Sequence, residues 1–205
     1  SLSAFTQYHD GAAWSWEHMA LTRARVVTGP EHFAKRVEQA IHAALTRARD
    51  GDALKTDVCD MRARLVRGHP PDSQWDIKYI AGGLIDVEFI AQYLQLRHAH
   101  DEPLVLDTNT CTALEKLSQS GKLDPATAQR LIRAGRLWLG LHGMLRFTFE
   151  GSFDEGAAPA GLKQALAQAA DTEDFEALKA HMADTAQTVR QIFIDLIGDP
   201  DAVAS

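Results

Sequence analysis

Cysteine is scarce: the 205 residues hold two, Cys59 and Cys111, too far apart for a Cys-x-x-Cys redox or zinc motif. They read as reduced structural thiols. No stretch approaches the roughly 18 consecutive apolar residues of a membrane span, and no secretory signal opens the chain. These absences predict a cytoplasmic protein with no membrane contact. A Gly-x-Ser-x-Gly nucleophile elbow and a phosphate-binding P-loop are missing as well, which removes two common routes to hydrolase or NTPase chemistry. Positive charge is in deficit, with 21 Lys and Arg against 28 Asp and Glu and a net charge of −7. The pI near 5.7 argues against a general nucleic-acid surface but leaves room for a local basic pocket.

What is present suits one helical domain over residues 1–205. The chain is 45% hydrophobic and 24% charged, ample for a core. Apolar residues step by three and four along Phe175, Leu178, Met182, Val189, Ile192 and Leu196, the signature of an amphipathic helix. Shorter stripes run through Leu54, Val58, Met61 and Leu65, through Phe33, Val37, Ile41 and Leu45, and through Phe5, Tyr8, Ala12, Trp16 and Met19. Gly29-Pro30, Gly121, Asp124-Pro125 and Gly198 with Pro200 punctuate the pattern as helix ends and starts. The expectation is an all-α bundle of about seven helices. Trp75 to Tyr79 is the one short stretch that could be extended, and GSFDEGAAP, residues 151–159, reads as a mobile loop. The opening SLSAFTQYHD has no methionine and enters a helical pattern at once, as a piece of a longer polypeptide would.

Residues 82–97 stand out, because apolar side chains leave them little polar face. Such a helix belongs at the centre of a bundle. Yet Asp86 and Glu88 lie in its first two turns, after Gly82-Gly83 and Lys78. The helix dipole favours negative charge there by about 0.3–1 kcal/mol, too little to offset burying two bare carboxylates. Cationic partners are therefore expected, from Lys78, Arg23, Arg25, Arg62 or Arg64. Two positions apart on a helix, the two carboxylates point in different directions. Gly82 and Gly83 read either as a structural turn or as free backbone N–H groups for a phosphate. His142 reads as a hydrogen-bonded core histidine. His9-Asp10 and His100-Asp101 leave a metal phosphohydrolase as a minor alternative, and a helical regulatory module that docks a partner protein is another.

AWSWEHMALTRARVV (13–27), the arginines of MRARL (61–65) and DIKYIAGGLIDVEFIAQYLQLRHAH (76–100) together resemble the glutamine synthetase adenylyltransferase family. The WEHMALTRAR block is similar to the carboxy-terminal, adenylylating half. The resemblance implies part of an enzyme that moves AMP from ATP, with magnesium, onto a tyrosine of glutamine synthetase, under control of a PII-type nitrogen-signalling protein. In that family a Gly-Ser turn is followed by an Asp-x-Asp pair, whose two aspartates hold the magnesium ions. Here Gly151-Ser152 is followed by no such pair, so the catalytic nucleotidyltransferase domain is expected upstream, with no catalytic or metal residue and no tightly bound cofactor in this segment. On that reading Glu17, Arg23, Arg25, Lys78, Gly82, Gly83, Asp86 and Glu88 form a wall facing the nucleotide cleft. A structural ion-pair network locking the first helix to the central one remains the rival account. Both expect the cations to come from WEHMALTRAR and Lys78.

Overall fold

A computed structural model describes residues 1–148 and 153–203. Ten α-helices and a 3-10 turn make up its regular structure, with no strand among the described residues. The class is all-α, as the periodicity predicts. The helices are α1 (Leu2–Gly11), α2 (Ser15–Leu21), α3 (Glu31–Leu45), α4 (Gly51–Gly68), α5 (Leu84–His98), α6 (Thr110–Gln119), α7 (Pro125–Thr148), α8 (Ala160–Ala169), α9 (Phe175–Leu196) and α10 (Pro200–Val203).

The expected seven become ten for local reasons. The first stripe is broken after Gly11, and Glu17 caps a new helix by accepting the Trp14 backbone N–H at 2.8 Å. Of that stripe, Met19 alone is buried; Tyr8 and Trp16 face outward while His9 and His18 turn inward. Pro200 does not end the chain's helices but opens a further short one, where its missing N–H costs nothing. Residues 75–79 are not extended: Tyr79 and Ile80 N–H groups both return to the Asp76 carbonyl, forming tight turns.

α5 lies against α2, α4, α6, α7 and α9, and 11 of its 15 residues are buried. Each large aliphatic side chain removed from water there contributes about 1.5–3 kcal/mol, so apolar residues around the whole helix suit its surroundings. α9 buries Leu178, Met182, Val189 and Ile192 along one stripe. Gly151 and Ser152 of the loop expected to be mobile lie outside the described residues. Of residues 153–159, Phe153 and Ala158 are buried, Phe153 against Trp75 at 4.8 Å between ring centroids. Glu155 there accepts from the Trp75 indole at 3.2 Å and from Lys179 at 2.7 Å. Both cysteines are free thiols. No helix among the described residues is long and apolar enough to cross a membrane.

Candidate functional site

The two carboxylates of α5 go to different places. Asp86 is fully buried and pairs with Arg62 of α4, itself fully buried. Arg62 Nε donates to Asp86 Oδ1, and Arg62 Nη2 donates to the Tyr79 and Ile80 carbonyls, both at 3.0 Å. Asp86 Oδ2 accepts the Gly82 N–H at 2.6 Å. The Gly82 carbonyl in turn accepts the Trp138 indole N–H from α7 at 3.1 Å. One ion pair thus ties α4, the 76–83 turn, α5 and α7 together. Arg62 Nη1 is buried without a hydrogen-bond partner among the described residues.

This corrects the expected source of the cation. Neither WEHMALTRAR nor Lys78 reaches Asp86. α4 crosses α5 with a core-facing line of Leu54, Val58 and Arg62 at four-residue spacing, while Met61 and Leu65 are half-buried. Lys78 is exposed, with Nζ 4.9 Å from the centroid of the Tyr79 ring.

The paired glycines serve packing. Gly82 has φ of 75°, and a Cβ there would collide with the backbone of Ala186 on α9. A Cβ on Gly83 would strike the Ile77 carbonyl. The Gly82 N–H goes to Asp86 and the Gly83 N–H to the Ile80 carbonyl at 3.0 Å. The next two, of Leu84 and Ile85, go to the Ile77 and Lys78 carbonyls. The start of α5 thus has protein acceptors where a phosphate was one reading.

Glu88 is half-buried and accepts from Arg23 Nη1 at 2.6 Å. The pair borders a cleft of about 220 Å³. Its lining includes Arg23, Arg25, Glu88 and Thr108, Asn109 and Thr110 before and at the start of α6. Asn109 caps α6 through the Thr112 N–H at 3.1 Å, and no acidic residue stands in that helix's first turn. Arg25 is exposed and forms no ion pair among the described residues. His142 of α7 senses the same neighbourhood. Burial first, then Arg146 and Lys78, holds its imidazole below the ordinary histidine range. It is half-buried, with no hydrogen bond among the described residues, so it is not the bonded core histidine expected.

Glu17 stands apart from this cleft. Its carboxylate accepts the Tyr8 hydroxyl at 2.6 and 2.8 Å and the Trp14 N–H at 2.8 Å. The Tyr8 bond, then the Trp14 N–H, lowers its pKa, and the same pairing raises that of Tyr8. The structure therefore brings Arg23, Arg25 and Glu88 together, sends Asp86 and the glycines into the core, and leaves Glu17 and Lys78 elsewhere. Trp138 and the 108–110 wall were missed. Asn109, before a helical stripe, was the available signal for the second; for the Trp138 contact, 56 residues away, there was none.

Among the described residues no three His, Cys, Asp or Glu side chains converge to hold a metal ion. His100 Nδ1 lies 3.1 Å from the Thr46 carbonyl. The phosphohydrolase alternative therefore has no metal centre to rest on among them.

By architecture and site this is an all-helical unit carrying a small cleft with two arginines at its rim. The family model for GlnD PII-uridylyltransferase matches residues 53–197, and the chain belongs to that family. The model for glutamate-ammonia ligase adenylyltransferase matches residues 1–40. Curated relatives carry the name bifunctional glutamine synthetase adenylyltransferase/adenylyl-removing enzyme. One from Rhodopseudomonas palustris is 44% identical over 98% of this chain and 20% of its own length. Another, from Bradyrhizobium diazoefficiens, is 41% identical over 96% and 20%. A third, from Xanthobacter autotrophicus, is 40% identical over 94% and 19%. The chain spans about a fifth of the length of these relatives. The resemblance carried by WEHMALTRAR and DIKYIAGGLIDVEF is borne out.

Proposed function

We propose that the chain is the helical domain of the adenylylating half of a cytoplasmic enzyme that transfers AMP from ATP to a tyrosine of glutamine synthetase. In this reading the Arg23–Arg25–Glu88 cleft faces the nucleotide, and a PII-type protein regulates the whole. The observation that carries it is the pairing of two arginines with unequal duties. Arg23 is held by Glu88 at 2.6 Å, while Arg25 beside it has a guanidinium free of any ion pair among the described residues. A planar guanidinium matches phosphate oxygens with two parallel hydrogen bonds. Glu88 orients Arg23, Arg25 meets the phosphate chain, and the hydroxyls of Thr108 and Thr110, which line the same cleft, donate to it. The role of this chain is to bind and align.

In this reading magnesium and the chemical step belong to the nucleotidyltransferase domain, in keeping with the lack of any convergence of three His, Cys, Asp or Glu side chains among the described residues. The 205 residues alone transfer nothing. Asp86, Gly82 and Gly83 act through the core that holds α5 under the cleft.

The test is steady-state adenylylation by the full-length enzyme carrying Arg25→Ala or Arg25→Lys. Alanine raises KM for ATP about tenfold, equivalent to about 1.4 kcal/mol, with a smaller change in kcat. Lysine restores part of the loss. An unchanged KM in the alanine variant refutes the assignment.

A further inference from the structure

We propose that Tyr8, Trp14 and Trp16, from α1 and the start of α2, form the face on which the nucleotidyltransferase domain of the same polypeptide docks. The inference rests on the functional reading above for the identity of that domain. The side chains are exposed by 42%, 66% and 46% respectively. Five of the eight large hydrophobic side chains exposed among the described residues lie within 1–40, Val27 and Phe33 being the others. Tryptophan and tyrosine concentrate at the centres of protein interfaces, where each removes much apolar area from water.

The face is already shaped. Glu17 clamps the Tyr8 hydroxyl and the Trp14 backbone at once, so part of the ordering that docking requires is complete before contact. The layer beneath it is unfinished as a core. α1 packs against α3, yet on α3 Phe33 is exposed and Val37 and Ile41 are half-buried, whereas Leu178, Met182 and Val189 of α9 are fully covered. The apolar stripes of α1 and α3 thus lack the cover that the rest of the bundle gives its own.

The occupant follows from sequence length. Relatives 38–44% identical to this chain are about five times longer. The segment bearing the aromatic face is the segment that the adenylyltransferase model matches separately from the remainder. A domain in cis is present at high effective concentration whenever the face is present.

Hydroxyl-radical footprinting of the full-length polypeptide tests this. Its reference points within the same chain are the buried Trp75 and Trp138. Docking predicts at least tenfold protection of Trp14 and Trp16 relative to the unfolded chain, approaching that of Trp138. Protection of twofold or less, as the exposures above imply for an uncovered face, overturns the proposal. A Trp14→p-benzoylphenylalanine variant identifies the occupant. Crosslinks into the nucleotidyltransferase domain of the same molecule support the proposal. Crosslinks to a second copy, or within the 205 residues alone, overturn it. Protected tryptophans with an unchanged ATP KM in Arg25→Ala refute the nucleotide reading and leave the docking face standing. Reactive tryptophans with a raised KM do the reverse.

Discussion

Replacing Asp86 by asparagine keeps the side chain's shape and removes its charge. Arg62 would then stay fully buried with neutral acceptors only, the new amide oxygen and the Tyr79 and Ile80 carbonyls, and Nη1 already has no partner among the described residues. Removing one member of a buried ion pair costs about 3–5 kcal/mol, because an uncompensated charge stays behind. The Gly82 N–H adds to this if the amide nitrogen is turned toward it. In a chain of this size each kcal/mol moves the thermal midpoint by about 2–4 °C, so Asp86→Asn lowers it by about 6–20 °C in a melt followed by far-ultraviolet circular dichroism. The paired change Arg62→Met with Asp86→Leu removes both charges together and regains part of that loss, the rest staying because the Gly82 N–H and the Tyr79 carbonyl lose the partners that the ion pair gave them. Nucleotide affinity per folded molecule of the full-length enzyme stays unchanged. A loss below about 1 kcal/mol in Asp86→Asn refutes an uncompensated buried charge as the source of the cost, as does a double variant no more stable than the single one.

Gly82→Ala forces a side chain into a positive-φ position and onto the Ala186 backbone; the conformation alone costs about 1–3 kcal/mol, read as a lowered urea midpoint. Trp138→Phe leaves the buried Gly82 carbonyl without its donor, a loss of about 1–3 kcal/mol by the same measurement. His18 is held below the usual histidine pKa by burial, then by Arg49. Its neutral form is favoured in the folded chain, so unfolding takes up a proton, and stability falls as pH drops below the unfolded value of about 6.5. Melts between pH 7.5 and 5.5 show a shallower slope for His18→Gln than for the parent, and superimposable profiles would refute this.

The helical class was legible because period-3.6 stripes recur from α3 to α9, and α9 shows one nearly unbroken. The break after Gly11 was not, since apolar spacing continues through it while the capping carboxylate of Glu17 arrives from within the next helix. Arg62 was readable in principle: it lies four residues beyond Val58 on the buried line of α4. Choosing it from five candidate cations required knowing how α4 crosses α5, which spacing along one helix does not encode. The link between Arg23 and Glu88 was expected because both motifs carried unpaired charge. The Thr108–Thr110 wall required the path of the chain beyond α5.

The buried network and the basic cleft have different boundaries along the chain. Arg62, Gly82, Asp86, Trp138 and Ala186 all fall within the 53–197 match, whereas Arg23 and Arg25 come from the separately matched opening stretch. A chimaera joined in the 46–50 connection would take Arg23 and Arg25 from one parent and their neighbour Glu88 from the other, and it would also have to fit Met19 and Leu21 of the first against α4 and α5 of the second. The charge at the cleft is therefore inherited together with a seam of the interior, and only parents that agree at that seam can exchange it.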